Sequence, residues 1–327
     1  MNVLHQIAEK ISSAKDFTED MSLVNGQAGM ALFLFHYARV VESEPYYEVA
    51  QNLLVENYRY LVRQIKHPHL SAVPGIGWLI SHLGQQQLIG INTDEMLEKV
   101  DKVIFDKLQF GFSRLFDQGG LLDMTNYLLQ RYAETGSDIT RMMIAERLLL
   151  VIDEIRMKMD EGIFKVFDRH YAPVESRMML NKMRGLSAVL HFISRVKELG
   201  IYPVIIGEME AEIIAWLTEY RTLVHTDFTT LLRVRDAMGR AGVEMVLEEL
   251  PAVKNIVRWE DLVLSCKLLG AGAEDIRQML QTGVCQELER GRGMPDLGLS
   301  GGLAGIGMVL LEGVSGSFVD WEEGLLS

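Results

Sequence analysis

Cysteine and basic residues are scarce in this chain, and each shortage excludes a class of protein. Two cysteines, Cys266 and Cys285, occur among 327 residues, which is too few for a disulfide framework. Lysine and arginine number 32 against 45 aspartates and glutamates, so the formal net charge is −13. Because nucleic acids and anionic membranes select basic surfaces, we expect neither as the main partner. Small molecules, peptides and other proteins remain.

Long apolar runs are missing as well. No stretch reaches the roughly 20 residues that span a bilayer, and Met1–Gln6 lacks the apolar region of a signal peptide. We therefore expect no membrane insertion and a cytoplasmic location. Apolar residues make up 48% and charged residues 24% of the chain, which is typical of a globular protein with an ample core.

Helical periodicity dominates what is present. Tyr46–Val62 and Glu95–Leu108 are amphipathic, whereas Met30–Val40 and Met308–Leu311 are apolar nearly all round. A helix that is apolar all round must be buried, and an amphipathic helix can cover it. Alternation typical of strands is confined to the short stretch 201–206. The sequence therefore predicts an all-α fold with inner and outer helices.

Glycine-containing turns open into apolar helical runs six times, at spacings of some tens of residues. Such self-similarity is typical of repeat architectures, and glycine lets helices and turns approach closely. Together with the two kinds of helix, it predicts one α/α toroid domain over residues 1–327. A generic helical bundle with glycine helix caps stays open as the alternative. The turn glycines are Gly26, Gly29, Gly75, Gly77, Gly120, Gly185, Gly239, Gly302 and Gly305.

These turns resemble those of the lanthionine synthetase C family, the LanC-like cyclases. The resemblance lies in Ser22–Arg39, Gly75–Leu79, Gly298–Gly307 and Asp320–Ser327, and it is weak between residues 184 and 292. It implies an α/α toroid with the glycine turns at the N-termini of inner helices, facing a central cavity. Family enzymes bind one zinc ion there. The zinc activates a peptide cysteine for addition to a dehydrated serine or threonine, closing a thioether ring.

The chain departs from the family at the zinc site. Family ligands come from a Cys-Tyr-Gly turn and a Cys-His-Gly turn, and a His-Gly turn supplies an acid/base histidine. The matching positions here carry Arg184 and Ala237, and the segment with the Cys-His-Gly turn is shortened or lost between residues 240 and 300. Alanine has no donor atom, and arginine stays protonated near neutral pH. We therefore expect no zinc and a pseudoenzyme.

The expected function is a non-catalytic LanC-like protein that binds a peptide or a partner enzyme in a lanthipeptide-type modification system. Two alternatives stay open. One is an active cyclase with a site unlike that of the family, and the other is an α/α-toroid hydrolase or lyase that uses paired acids, for which the candidates are Asp123 and Asp236 at the turn ends. The candidate cavity residues are Arg184, Arg240, Asp123, His170 and Asn25.

The two arginines support two interpretations. If the inner-helix N-termini converge on the cavity, their partial positive charge and the guanidinium groups of Arg184 and Arg240 favour a carboxylate or an acidic peptide. Alternatively, both arginines pair with acids such as Asp123 or Asp236. Other chemistry-bearing residues have plainer explanations. We expect His82 and His191 to be satisfied core or cavity-wall histidines, and the two cysteines to be buried or half-exposed thiols.

Overall fold

The computed structural model describes residues 2–13, 19–65, 72–110, 121–162, 176–223, 228–245, 259–269, 274–290, 297–299 and 302–315. Within these ranges the regular structure is entirely α-helical, so the all-α prediction is confirmed for them. The helices are α1 (Asn2–Ser13), α2 (Gln27–Val41), α3 (Glu44–Gln64), α4 (Val73–Gln85), α5 (Thr93–Phe110), α6 (Leu121–Glu134), α7 (Asp138–Asp160), α8 (Ser176–Glu198), α9 (Pro203–Leu223), α10 (Phe228–Arg240), α11 (Trp259–Leu269), α12 (Glu274–Arg290) and α13 (Leu303–Ser315). None of the described helices is both long and apolar enough to cross a bilayer.

The chain forms two compact units. Unit 1 consists of Met1–Ile104, Glu134–Gly136 and Val253–Leu326. Unit 2 consists of Phe105–Ala133, Ser137–Ala252 and Ser327. The toroidal arrangement of the helices stays a prediction.

The two expected kinds of helix are both present. In α2 every residue from Gln27 to Ala38 is buried, and in α13 every residue from Leu303 to Leu311 is buried. By contrast, α3 buries one face, which includes Leu53 and Leu61 and leaves Glu48 in solvent. Helices that are apolar all round thus lie in the core, and the amphipathic helix covers them.

In unit 1, the apolar helices α2 and α4 run in the same direction. The side chain of His36 meets that of His82, and Arg39, one turn further along α2, reaches the carbonyl of Gln86, one turn further along α4. Between them in sequence, α3 leaves α2 through a short turn in which Glu42 is left-handed (φ 51°), and it packs extensively on α2. The repeating unit is therefore a buried helix followed by a returning outer helix.

Unit 2 repeats this arrangement with α8 and α10. Arg184 on α8 contacts Thr230 on α10, and His191 contacts Asp236, so the paired residues advance together along both helices. The intervening helix α9 also packs against α8. These contacts make α8 and α10 parallel neighbours, like α2 and α4.

The first and last glycine turns, both in unit 1, pack against each other. The Leu299 N–H donates to the Val24 carbonyl at 2.7 Å. A Cβ atom added at Gly298 would lie 2.6 Å from the Asn25 Cα atom, and one added at Gly29 would lie 2.7 Å from Leu299 Cγ. Neither position has room for a larger residue, so close approach through glycine is confirmed here.

The same holds for other glycines of unit 1. At Gly26 and Gly305 an added Cβ would overlap the backbone of Asp20 and Leu299 respectively, and at Gly75 it would lie 3.0 Å from Leu23 Cβ. Gly77 and Gly302 are buried. The prediction for Gly120 falls outside the residues that the structure describes.

Two glycines predicted in turns that precede helices lie elsewhere, and that prediction is wrong for them. Gly185 lies inside α8, because the preceding Met178–Met183 is rich in good helix formers and one internal glycine costs only about 1 kcal/mol. Gly239 lies in the last turn of α10, where it is exposed and an added Cβ would meet nothing within 4 Å.

The turn after Gly239 ends α10. Gly242 is left-handed with φ of +79°, and the N–H of Val243 donates to the Met238 carbonyl at 2.8 Å. This is the Schellman pattern of helix C-termini, where glycine is favoured because it has no Cβ atom. Gly239–Gly242 therefore forms the C-terminal end of α10.

Candidate functional site

Two of the predicted cavity residues lie on neighbouring helices of unit 2, Arg184 on α8 and Arg240 on α10. The Arg184 Nε–H donates to Thr230 Oγ1 at 2.7 Å. Further along both helices, Arg240 Nε donates to Asp236 Oδ2 at 3.3 Å, and His191 Nδ1 lies 3.8 Å from the same oxygen. The carboxylate of Asp236 is thus the centre of the cluster.

Local helix geometry explains these pairings. Asp236 and Arg240 stand at i and i+4 on α10, a spacing that places the two side chains next to each other. Arg184 and His191 lie two turns apart on α8, so they share the face that packs on α10. The sequence therefore builds the cluster from two helix faces.

His191 is buried and neutral at pH 7. Its pKa is lowered to about 3, first by desolvation and then by the nearby positive charges of Arg240 and Arg195. The 3.8 Å approach to Asp236 is therefore not an ion pair. Both ring nitrogens are buried without a hydrogen-bond partner within the described ranges. The expectation that His191 is buried is confirmed, but its ring is not satisfied by a hydrogen bond.

Asp236 is half-buried, and its pKa is shifted in the opposite direction from that of His191. Burial raises the pKa of its carboxyl group, while the adjacent Arg240 and the charge of Arg235 act against that rise. Because Arg240 already binds this carboxylate, the interpretation in which an arginine pairs with Asp236 is confirmed for Arg240.

The expected placement of both arginines at helix N-termini is wrong. Arg184 lies within α8, and Arg240 is the last residue of α10. A helix C-terminus carries partial negative charge, so it gives no support to a bound carboxylate. What remains here is a polar contact surface between two packed helices.

The residues at the matched zinc positions do not fit a zinc ion. Ala237 is buried on α10 and has no donor atom, and the guanidinium of Arg184 is held by a hydroxyl group. Among the described residues, no three His, Cys, Asp or Glu side chains come close enough to share one ion. Neither matched position therefore supplies a ligand.

The cysteines are thiols of the expected kind. Cys266 is buried and Cys285 is half-buried, and neither forms a disulfide. Burial raises the pKa of the Cys266 thiol to about 12, so this side chain is not a thiolate at neutral pH.

The remaining predicted site residues are scattered. Asp123 lies in the first turn of α6. Asn25 is exposed in the first glycine turn, where its N–H donates to Ser22 Oγ at 3.3 Å. His170 lies outside the described residues. Asp123 and Asn25 thus lie on α6 and in the first glycine turn respectively.

Sequence reasoning missed one polar cluster, which lies in unit 1. His36 on α2 and His82 on α4 meet through their Nε2 atoms at 3.2 Å, and Trp78 stacks on the His82 ring at a centroid distance of 4.7 Å. Arg39 lies within hydrogen-bond distance of His36 Nδ1, at 3.4 Å. His82 is therefore a satisfied core histidine, as expected. In the sequence, the signal for this cluster is one histidine in each of two apolar helices.

The likeness to LanC-like proteins rests on short motifs around the turns, chiefly Ser22–Gly29 and Gly298–Gly307. In the structure these two segments lie against each other. No family model matches the chain, and no curated protein is significantly similar to it.

Proposed function

We propose that this chain is a non-catalytic LanC-like protein that binds a peptide or a partner enzyme in a lanthipeptide-type modification system. One observation carries the proposal. At the two positions matched to the family's catalytic donors, the Arg184 guanidinium is hydrogen-bonded to Thr230, and Ala237 is buried in the core. Both positions serve helix packing, so the thiol activation for which the family uses zinc has no donor atoms there.

The helix arrangement supports the family part of this proposal. In unit 1 the parallel helices α2 and α4 are apolar, and the first and last glycine turns pack against each other. The resemblance to the family leads us to expect both features. Glycine is required where these segments touch, and the same glycines carry the likeness of the turn motifs to those of the family.

Binding rather than chemistry is the function that such a scaffold retains. The net charge of −13 leaves peptides and proteins among the favoured partner classes. The choice of a modification system as the setting comes from the family resemblance. The hydrolase alternative needs two carboxylates placed for acid and base roles. One of its candidates, Asp236, is bound to Arg240.

Two measurements test the proposal. The zinc content of the protein is measured after dialysis against zinc, and a cyclisation assay uses a dehydrated, cysteine-containing precursor peptide. Ring closure leaves the peptide mass unchanged, so alkylation of the remaining free thiols reports the reaction. We expect zinc well below one equivalent and free thiols that persist, together with binding of the peptide or of its modifying enzyme. An active cyclase of the family serves as the positive control. Loss of thiols on adding this chain would contradict the proposal.

A further inference from the structure

A groove of about 590 Å³ lies on unit 1 between α1 and the N-terminal end of α3. Its volume is within the range of small-ligand sites. Acidic, hydroxyl and apolar groups line different parts of it. The residues that matter are Glu9, Ser12, Ser43, Pro45, Tyr46 and Val49.

Glu9 gives this groove its charge. Its carboxylate is the charged group among the lining residues, and its side chain is 64% exposed. A carboxylate accepts hydrogen bonds and repels anions, so the groove selects a cationic donor. The hydroxyl of Ser12 is buried and has no hydrogen-bond partner within the described ranges, so it is a further acceptor.

Residues from three helices hold the Glu9 side of the groove. His5 Nδ1 lies 3.3 Å from the hydroxyl groups of both Tyr37 on α2 and Tyr46 on α3. Its other nitrogen, Nε2, lies 3.6 Å from Glu9 Oε1. The imidazole therefore connects the carboxylate to two tyrosines, whose rings pack edge to face at 5.1 Å. These contacts place the Glu9 carboxylate beside the aromatic part of the groove.

The opposite wall is apolar and aromatic. Pro45 and Val49 present aliphatic surface, and the ring of Tyr46 borders the same space. Both the aliphatic and the aromatic surface favour binding of a cation on a short aliphatic stem. Its methylene groups cover the apolar surface, and its charge is attracted by the aromatic ring.

We propose that this groove binds the side chain of a lysine or arginine from a peptide. The ammonium or guanidinium group sits on the Glu9 carboxylate and the Ser12 hydroxyl, and the aliphatic stem lies along Pro45, Val49 and Tyr46. The inference stands independently of the function proposed above, since it uses no residue of α8 or α10. A basic side chain as the bound group agrees with the net charge of −13 of the chain.

Fluorescence anisotropy with labelled pentapeptides tests this inference. The probe is Gly-Gly-Lys-Gly-Gly, and its matched control carries norleucine, which lacks the ammonium group but keeps the stem. Because the Glu9 side chain is largely exposed and water weakens its ion pair, we expect the norleucine peptide to bind about two- to fivefold more weakly. Equal binding of the two peptides would overturn the proposal.

Three variants separate the site from general charge attraction. Glu9→Gln should weaken binding of the lysine peptide about two- to fivefold, because it removes an ion pair at a largely exposed carboxylate. Glu56→Gln on α3 changes the net charge equally at an exposed position outside the groove and should leave binding unchanged. Val49→Trp should block binding by filling the groove with no change in charge. Equal losses in the Glu9 and Glu56 variants would overturn the site.

A competition experiment identifies the source of the cation. Excess 1,4-diaminobutane carries the same ammonium group on an aliphatic stem, so it should displace the labelled lysine peptide at a concentration similar to that of the unlabelled peptide. Displacement by the diamine at a much lower concentration would overturn the assignment to a peptide side chain and point to a free amine.

Discussion

His36 and His82 face each other through their Nε2 atoms, 3.2 Å apart, in the interior of unit 1. One ring must donate the proton and the other must accept it, so the contact requires at least one of the two imidazoles to be neutral. Burial lowers the pKa of both rings, and the positive charge of Arg39 adds to that effect. The core of this unit therefore contains two bases that remain uncharged while the protein is folded.

Acidification should destabilise the protein through this pair. The pKa of His82 is about 4 in the folded state against 6.5 in the unfolded chain, so the unfolded chain binds more protons between those values. The free energy of unfolding should therefore fall as the pH drops from 6.5 toward 4, by up to about 1.4 kcal/mol per pH unit for such a histidine. Thermal unfolding followed by circular dichroism between pH 7 and pH 5 measures this loss.

A variant pair assigns the acid effect. His82→Gln keeps a hydrogen-bonding side chain that does not titrate, so its melting temperature should fall less on going from pH 7 to pH 5. His5→Gln removes an exposed histidine and should behave like the unaltered chain. If both variants lose the same stability as the unaltered chain, the acid effect has another origin.

Glycine at position 298 should be indispensable, whereas glycine at position 239 should not. Gly298→Ala places a methyl group 2.6 Å from the Asn25 Cα atom, so backbone must move at a cost of about 1–3 kcal/mol or more. Gly239→Ala meets nothing within 4 Å inside a helix and should stabilise by up to about 1 kcal/mol. Chemical denaturation of the two variants compares them directly. A destabilised Gly239→Ala variant would contradict the helical assignment of that residue.

Replacing His191 with leucine should raise stability. Both ring nitrogens of this buried side chain lack hydrogen-bond partners within the described ranges, and an unsatisfied buried polar group costs about 1–3 kcal/mol. An apolar side chain of similar size removes that cost. The same change at His82 should destabilise, because it removes the partner of His36. The melting temperatures of the two leucine variants should therefore move in opposite directions. A fall in both would mean that His191 has a hydrogen-bonding role.

The ion pair between Lys267 and Glu312 should matter more than any exposed pair. The two groups join α11 and α13 at 2.6 Å, and their side chains are only 11% and 10% exposed. Lys267→Met leaves a buried carboxylate and should cost about 3–5 kcal/mol. Adding Glu312→Gln should restore much of that loss.

The matched control for this pair is Arg59→Met. It breaks an exposed pair with Glu56 at 3.6 Å and should change the free energy of unfolding by less than about 1 kcal/mol. Equal losses for Lys267→Met and Arg59→Met would show that burial does not set the strength of these pairs.

The helices could be predicted because burial repeats at helical spacing. Leu53 and Leu61 lie two turns apart and are both buried on α3, as the periodicity indicates. The close-packed turns of unit 1 were predictable for a similar reason, since several glycines fall immediately before or within the first turn of an apolar run. Local pattern is sufficient for such features.

Other features depend on information that no local pattern contains. Glycine suits both the turn before a helix and the turn after one, so the sequence around Gly239 fits either end of α10. The i, i+4 pair of Asp236 and Arg240 could be read from spacing, but the approach of His191 depends on how α8 packs on α10. The meeting of His36 with His82 likewise depends on the packing of two separate helices.

The hydrogen bond between the Leu299 N–H and the Val24 carbonyl affects how this protein folds during synthesis. A ribosome releases the segment around Val24 long before the segment around Leu299. The first turn of α2 therefore lacks its partner backbone while the residues in between are translated. Unit 1 can reach its final packing only late, and the exposed apolar surface of α2 during that interval makes the nascent chain a natural client for chaperones.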